Sequence, residues 1–337
     1  MPGELMAKVA AQRAGMNLLL SCIGKRGYVA DYFREVLPKG GRIIGTSNTP
    51  WTPGFSRCDE TLVLPPIRSD EYVPALLAEC RRLGVSGLLS FFDPDVHKLS
   101  AHRNELEEAG VLALIPTRRA STIAFDKLET WRSLSAMGIA TPRTTDSPAE
   151  ARAWLASGLF AFPLIVKPRF GFGGVNTFLA RNPRELEVFH GYTRDMIIQQ
   201  FVEGEHFCVD GLGDTLARPV CVVPWRRLLT RNGETERAET VHCGELSAIA
   251  ERLIREVEIT GPLDVDFLRD GQGGLWVLEM NPRFGGGYPV SHLAGADFPG
   301  LIVRMLAGEE LENRSGKHRA GVTMMKRLEP IPGPEVV

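Results

Sequence analysis

The stretch GPLDVDF at residues 261–267, followed by VLEMNPR at residues 277–283, decides the fold of this chain. Both stretches contain mainly apolar runs of strand length, and a Gly-rich turn at residues 270–274 lies between them. Two strand-like runs separated by such a turn are typical of a β-hairpin. The sequence therefore predicts a hairpin that carries acidic and amide side chains on two neighbouring strands.

Three oxygen-bearing side chains lie on this predicted hairpin. Residues two apart in a strand share a face, so Glu279 and Asn281 point the same way, and Asp266 can meet them from the facing strand. Mg²⁺ takes one or two carboxylates and completes its shell with waters and substrate phosphates. A surface hairpin with solvated acids is the alternative, but the apolar neighbours disfavour it because a buried, unpaired carboxylate is costly. We therefore predict a magnesium–nucleotide site, with the cation of Arg283 beside it.

Composition limits the class of protein. The chain has 337 residues, 44% hydrophobic and 24% charged, with a formal net charge of −2. This balance is that of an ordinary globular protein and argues against nucleic-acid binding, which relies on many Lys and Arg contacts to phosphate. No apolar run is long enough to cross a bilayer, the N-terminus lacks a signal-peptide core, and the six cysteines are scattered. We expect a reduced, cytoplasmic protein without nucleic-acid or membrane partners.

Alternation of short apolar runs with amphipathic segments predicts an α/β fold with a parallel sheet in the N-terminal part. A small mixed unit and a strand-rich section carrying the hairpin follow. Predicted strands are 17–23, 42–46, 60–64, 85–90, 111–115, 163–167, 175–180, 196–202 and 218–224, and predicted helices are 28–37, 70–83, 95–109, 119–137, 148–157 and 183–190. The predicted divisions are a tail at 1–15, an N-terminal α/β domain at 16–118, a small domain with linker helices at 119–202, a C-terminal domain at 203–328 and a tail at 329–337. Both Met1 and Met16 fit a native start.

A glycine loop follows the predicted strand that ends at Lys167. The loop RFGFGG at residues 169–174 leads into another strand, whereas a Walker loop leads into a helix and ends in Gly-Lys-Ser/Thr. Glycines let backbone N–H groups approach phosphate oxygens, and Lys167 adds a point charge. A structural turn explains this loop alone about as well. Together with the acidic hairpin, it predicts a flexible lid over a triphosphate.

An extended segment that breaks at Glu203-Gly204 supplies a third element. Its backbone can offer hydrogen bonds to the edge of an adenine, and a nearby carboxylate can accept from ribose hydroxyls. The alternative is an inter-domain hinge with solvated glutamates.

Taken in this order, these residues resemble an ATP-grasp enzyme, specifically the subgroup similar to the carbamoyl-phosphate synthetase large subunit and biotin carboxylase. The resemblance covers residues 16–326 and implies an N-terminal α/β domain, a small lid domain and a larger C-terminal domain, with ATP between the last two. Asp266 departs slightly, because relatives often have Gln or Glu there. The implied phosphate contacts are Lys127 and Lys167; the lid glycines are Gly171, Gly173 and Gly174; the adenine hinge is Gln199, Gln200 and Val202; the ribose ligand is Glu205; the Mg²⁺ ligands are Asp266, Glu279 and Asn281; and Arg283 is the catalytic residue.

The chemistry implied by the resemblance is ATP-dependent activation of a carboxylate as an acyl phosphate, followed by transfer to an amine with release of ADP and phosphate. The expected cofactors are ATP and Mg²⁺, with Mn²⁺ as a possible substitute, and the expected setting is specialised amino-acid or natural-product biosynthesis. Loading of a carrier-protein thiol and a non-catalytic nucleotide-binding module remain alternatives. Expected partners are small-molecule carboxylates and amines, with a carrier protein or a second copy of the chain also possible.

Four residues are candidates for the substrate side. Arg226, Arg227 and Arg231 follow the predicted strand 218–224, where relatives often have basic residues, but a solvated strand end explains them equally well. His292 is expected to begin the helix after the glycine triplet and to face the substrate, with a solvent-exposed helix start as the alternative.

Overall fold

The computed structural model describes residues 15–171, 173–231 and 233–334. Within them the chain forms three sheets with helices packed around them, so the predicted α/β class is confirmed. No helix in these residues is both long enough and apolar enough to span a bilayer. Residues 1–14 of the predicted tail and the lid residue Phe172 lie outside the described residues.

The N-terminal sheet is parallel throughout, with strand order β3-β2-β1-β4-β5. The central strand β1 is buried along its whole length because helices cover both faces, as expected for a parallel sheet. The strands are β1 (Asn17–Ser21), β2 (Arg42–Ser47), β3 (Glu60–Val63), β4 (Val85–Ser90) and β5 (Leu112–Ala113), and the helices are α1 (Gly27–Val36), α2 (Tyr72–Leu83), α3 (Asp93–Leu99) and α4 (Arg103–Glu108), with 3₁₀ turns at Pro53–Arg57 and Ser100–His102.

Two predicted helices are each divided in the structure. The helix predicted at 95–109 breaks between α3 and α4, where the Ser100 hydroxyl donates to the His97 carbonyl at 2.7 Å and so competes with helical hydrogen bonding. The helix predicted at 119–137 divides at Asp126 into α5 (Arg118–Phe125) and α6 (Lys127–Ala136). The Asp126 carboxylate accepts from two N–H groups of the first turn of α6, which makes it the N-cap of a new helix. The prediction of one continuous helix at each place is wrong.

The small mixed unit is a four-stranded antiparallel sheet with order β6-β9-β7-β8. Two of its strands are shorter than predicted: β8 begins at Phe178 rather than 175, and β9 ends at Gln200 rather than 202. Its elements are β6 (Thr144–Thr145), α7 (Pro148–Ala156), β7 (Leu164–Pro168), β8 (Phe178–Ala180), α8 (Pro183–His190) and β9 (Met196–Gln200).

The C-terminal sheet is antiparallel, with order β14-β13-β10-β11-β12-β15. Val209, Val222 and Leu263 on one face pack against α9 in a single buried cluster. Since side chains alternate along a strand, the residues between them project from the opposite face, toward the functional site. The elements are β10 (Gly204–Gly213), β11 (Pro219–Arg231), β12 (Glu234–Thr240), α9 (Gly244–Val257), β13 (Gly261–Asp270), β14 (Leu275–Asn281), α10 (Tyr288–Leu293), α11 (Phe298–Leu306) and β15 (Thr323–Met325).

Candidate functional site

The hairpin predicted from the opening motif is formed by β13 and β14. Asp266 lies directly opposite Glu279, and Asp264 lies directly opposite Asn281. On the other side of β13, Asp210 of β10 is paired with Asp264. Directly opposed residues share a face of a sheet, so the register gathers four acids and one amide on the face away from α9.

Glu279 is held between two ammonium groups. Its Oε1 atom is 3.3 Å from Lys167 Nζ and 3.8 Å from Lys127 Nζ, and the two lysine side chains are only 11% and 10% exposed. Burial alone would raise the pKa of Glu279, but Lys167 and Lys127 bring it below its ordinary value. Lys127 also donates to the carbonyl of Gly171 at 2.7 Å, which ties the glycine loop to this cluster. The structure thus brings together both predicted phosphate contacts and one predicted metal ligand.

Arg283 joins the hairpin to the N-terminal sheet. Its Nε atom lies 3.0 Å from Asp93 Oδ1 at the start of α3, and its NH1 atom lies 3.4 Å from Asp264 Oδ2. Burial alone would lower the pKa of Arg283, but Asp93 and Asp264 raise it. The guanidinium is therefore a fixed positive charge beside Asn281 rather than a mobile surface group.

Asp266 and its neighbours form a second charged cluster. Arg227 donates to Asp266 Oδ1 at 2.5 Å, and the thiol of Cys208 lies 3.1 Å from the same oxygen. Asp210 accepts from Trp225 Nε1 at 2.8 Å, and burial raises the pKa of its carboxyl. The Oδ1 atoms of Asp210 and Asp264 are buried without a hydrogen-bond partner in the described part of the chain.

The donor set suits a hard cation. Asp266, Glu279 and Asn281 offer two carboxylates and one amide oxygen from facing strand positions, which matches the preference of Mg²⁺ for few protein ligands plus phosphate and water. Lys127, Lys167 and Arg227 neutralise these carboxylates in the structure. Among the described residues, no group of three His, Cys, Asp or Glu side chains has the arrangement of a metal site. The assignment of the three ligands stays a prediction.

A cleft of about 260 Å³ lies over this face of the sheet and is lined by Asp264, Asp266, Glu279, Asn281 and Arg283. The glycine triplet that follows the hairpin makes room for three side chains. A Cβ on Gly285 would lie 2.7 Å from Asp264 Cγ, one on Gly286 would lie 2.8 Å from Glu234 Oε2, and one on Gly287 would collide with the ring of Trp225.

The glycine loop forms part of the wall of this cleft. Gly173 and Gly174 both line it and have φ values of +65° and +71°, which side chains adopt at a cost. The carbonyl of Gly173 approaches Gly233 in the β11–β12 turn so closely that a Cβ there would lie 3.2 Å from it. Arg169 is not part of the free loop, because its NH2 atom donates to Asp126 at 2.6 Å. The predicted lid therefore starts after an anchored arginine.

The predicted adenine hinge lies at the junction of the small unit and the C-terminal sheet. The Gln199 side chain is buried and donates to Thr144 Oγ1 at 2.9 Å, while Gln200 Oε1 accepts from the backbone N–H of Arg143 at 3.3 Å. Val202 follows the end of β9, and Glu205 is exposed and paired with Arg226 at 3.2 Å. Both glutamine side chains are thus used within the protein, and the backbone N–H of Gln200 also donates to the carbonyl of Arg143, at 2.9 Å. Their nucleotide roles stay predictions.

The predicted substrate residues separate into different environments. The strand predicted to end at Pro224 continues to Arg231, so the three arginines lie within β11. Arg227 lines the cleft, whereas Arg226 is paired with Glu205 and Glu239, and Arg231 is exposed and paired with Glu236.

His292 occupies the last turn of α10, so the prediction that it begins the helix is wrong: α10 begins at Tyr288, directly after the glycine triplet. The His292 ring stacks on Tyr32 of α1 at 3.8 Å between centroids, and it contacts the hydroxyl of Tyr288 at 3.3 Å. These contacts give it a packing role between α10 and the N-terminal domain.

Sequence reasoning missed Asp93, Asp264 and Glu234. Asp264 carried a signal, because it lies two residues before Asp266 and so shares its face. Asp93 forms an ion pair with Arg283, 190 residues away, and such a contact has no local signature in the sequence.

Comparison with known proteins agrees with this geometry. Residues 124–287 match a family model described as an ATP-grasp domain. The chain contains an ATP-grasp domain. Residues 18–114, ahead of the ATP-grasp domain, match a model described as a PylC-like N-terminal domain.

Curated relatives and solved structures extend the comparison. The chain is 26% identical over 206 residues to a D-alanine–D-alanine ligase of Stutzerimonas stutzeri, an alignment covering 56% of this chain and 66% of that protein. It is 29% identical over 217 residues to the D-alanine–D-alanine ligase of Gloeobacter violaceus, covering 56% and 70%. The aligned region thus spans slightly less than two thirds of the first of these relatives.

Among solved structures, a Campylobacter jejuni biotin carboxylase has a TM-score of 0.72 at 17% identity, covering 90% of this chain and 73% of that one. The Staphylococcus aureus N5-carboxyaminoimidazole synthetase complexed with ADP has a TM-score of 0.70 at 15% identity, covering 90% and 79%. At these identities the likeness shows the fold, which is that of an ATP-grasp domain behind an N-terminal α/β domain.

Proposed function

We propose that this protein is an ADP-forming ligase that activates a carboxylate with ATP as an acyl phosphate and transfers the acyl group to an amine. The observation that carries the proposal is the grouping of Lys127, Lys167 and Arg283 around Glu279 and Asn281 at the cleft. Phosphoryl transfer requires mainly positioning and charge stabilisation. Fixed cations next to oxygen ligands meet both requirements. The D-alanine–D-alanine ligase and N5-carboxyaminoimidazole synthetase names of its relatives and neighbours agree with this reaction class.

Each part of the cluster has a proposed role. Lys127 and Lys167 would bind the phosphates, while Asp266, Glu279 and Asn281 would hold Mg²⁺, which would neutralise phosphate charge when bound. Mn²⁺ also accepts oxygen ligands and is proposed to substitute for it. Arg283 stabilises the negative charge that develops on the transferred phosphoryl group, as its fixed position beside Asn281 allows.

An amine acceptor is favoured over a carrier-protein thiol by the shape of the site. The cleft shares residues with a second cavity of about 430 Å³ in the N-terminal domain, which has room for a small molecule. We place the enzyme in the cytoplasm, in specialised amino-acid or natural-product biosynthesis. A homodimer is proposed as its assembly, and sedimentation of the purified protein at several concentrations tests this.

The proposal is tested by phosphate release from ATP and Mg²⁺ with a panel of carboxylic acids that includes D- and L-amino acids, with hydroxylamine present to capture an acyl phosphate as a hydroxamate. The expected result is ADP and hydroxamate formation that depends on a particular acid. ATP binding without acid-dependent turnover across the panel would instead favour a non-catalytic nucleotide-binding module.

A further inference from the structure

The N-terminal cavity opens at the carboxyl ends of β1 to β4, and Lys25, Thr46 and Asn48 are among its polar lining residues. The strand order reverses direction between β1 and β4, and ligands of open α/β sheets bind beyond the carboxyl ends at such a switch point. This cavity and the ATP-side cleft have Arg26 and Glu234 in common. Glu234 thus stands where the two spaces meet.

Glu234 already holds an ammonium group. Lys326 Nζ lies 3.1 Å from Glu234 Oε2 and 5.9 Å from the centre of the Tyr28 ring. A carboxylate together with an aromatic face is a recognised arrangement for binding an alkylammonium. The lack of a side chain at Gly286 leaves room for this ion pair, since a Cβ there would lie 2.8 Å from Glu234 Oε2 and 3.7 Å from Lys326 Nζ.

The other cations near Glu234 are fixed by different partners. Arg26 NH1 donates to the carbonyls of Phe91 and Phe284, both at 3.0 Å, and Arg283 is paired with two aspartates. Burial alone would raise the pKa of Glu234, but Lys326 and Arg26 lower it, so the carboxylate is charged at neutral pH. The buried hydroxyl of Tyr28 has no hydrogen-bond partner in the part of the chain that the structure describes. The Tyr28 hydroxyl is therefore free to hydrogen-bond to a ligand, in addition to the carboxylate that binds Lys326.

We propose that Glu234 and Tyr28 form the subsite for the ammonium of the amine substrate, that Lys326 occupies it until the substrate displaces it, and that the N-terminal cavity holds the rest of that molecule. This inference rests on the proposed ligase function and adds the acceptor class: a primary amine that also carries an anionic group, such as an amino acid. The anionic group is assigned to Lys25, which lines the cavity and has no ion-pair partner among the described residues.

The placement suits the second half of the reaction. The amine nitrogen attacks the carbonyl carbon of the acyl phosphate, forming the C–N bond while the C–O bond to phosphate breaks. The nitrogen loses two protons between ammonium and amide. One passes through the Glu234 carboxylate to solvent, and the other leaves with the phosphate as hydrogen phosphate. In this arrangement Glu234 holds the ammonium between the N-terminal cavity and Arg283.

The test compares two acceptors for the same acyl phosphate. Wild-type protein, Glu234→Gln and Lys326→Ala are each given ATP, Mg²⁺ and an acid that supports turnover, with either hydroxylamine or a panel of amino acids as acceptor. Hydroxylamine is largely uncharged above neutral pH and needs no ammonium site, so the ratio of amide to hydroxamate isolates acceptor binding. Glu236→Gln is the matched control, because Glu236 lies on the same strand and is paired with Arg231.

We expect Glu234→Gln to lower the amide-to-hydroxamate ratio at subsaturating amine by about 10-fold or more, because one charged hydrogen bond to the ammonium is lost. Lys326→Ala should raise it roughly two- to fivefold, because the internal competitor is removed from a partly exposed ion pair. An unchanged ratio in Glu234→Gln, or a lower ratio in Lys326→Ala, overturns the subsite. If wild-type protein forms no hydroxamate with any acid, the ligase proposal itself fails, and the subsite fails with it.

Discussion

Arg283 is the residue at which stability and turnover should be affected together. Its guanidinium is 12% exposed and bridges Asp93 of the N-terminal domain and Asp264 of the hairpin. Replacing it with alanine removes a fixed cation from the cleft and also leaves two buried carboxylates without their partner.

The size of the structural effect follows from these distances. At an effective dielectric constant of about 20, opposite charges 3.0 Å apart attract by about 5.5 kcal/mol, and the desolvation of both groups offsets part of this. Removing one partner of a buried pair typically costs about 3–5 kcal/mol. Asp93 and Asp264 are 13% and 9% exposed, so solvent screens them weakly and we expect about 4 kcal/mol. In a chain of this size the melting temperature should fall on the order of 10 °C.

The assay measures melting temperature, Mg-ATP affinity by calorimetry and acid-dependent phosphate release for wild type, Arg283→Ala and Arg283→Lys. For the alanine variant we expect turnover to fall on the order of 10²-fold at a temperature where it remains folded, with a much smaller loss of ATP affinity. The lysine variant keeps the charge and should recover most of the stability but less of the rate. A melting temperature within about 1 °C of wild type for Arg283→Ala would refute the bridging role. Equal losses of affinity and rate would make Arg283 a ground-state nucleotide ligand.

Four further outcomes are expected. Glu279→Ala should abolish metal-dependent turnover while circular dichroism shows an intact fold, and wild-type-like turnover would refute the metal assignment. Lys167→Ala should weaken ATP binding about 10-fold or more, because a charged phosphate contact is lost; unchanged affinity and turnover would make it a structural lysine. Backbone amides of residues 170–174 should exchange faster without nucleotide than with it, and equal protection in both states would contradict a lid. Burial alone would raise the pKa of Asp59, but hydrogen bonds from a backbone N–H and from Arg34 lower it, so the stability that the charged carboxylate adds is lost as pH falls. Asp59→Asn should therefore melt at a lower temperature than wild type at neutral pH, and thermal scans should show this difference in melting temperature closing below about pH 3.8.

Features with a local cause could be predicted from the sequence. The hairpin followed from two apolar runs and one Gly-rich turn, and its register places Asp266 opposite Glu279 as the alternation of side chains requires. The division between α5 and α6 also had a local cause, since Asp126 with Glu129 three residues later has the form of a helix start. The helical pattern on both sides of Asp126 favours one continuous helix, and the prediction followed that pattern rather than the capping signal.

Features that depend on tertiary contacts could not be predicted in this way. Glu234 and Lys326 are 92 residues apart and meet only because β15 pairs with β12. The stacking of the His292 ring on Tyr32 likewise depends on the packing of α10 against α1 and has no local signature. Periodicity indicates which face of an element is buried; it does not indicate which partner covers that face.

The glycine triplet at residues 285–287 has a consequence for redesign of this protein. Its three members leave space for three different side chains, Asp264, Glu234 and Trp225, which belong to three different strands. Any larger residue in the triplet would therefore disturb a different neighbour at each position, and no single compensating change could accommodate all three. A mutant library intended to alter the proposed acceptor preference is better directed at Asn48, which follows the last residue of β2 and lines the N-terminal cavity outside the paired strands.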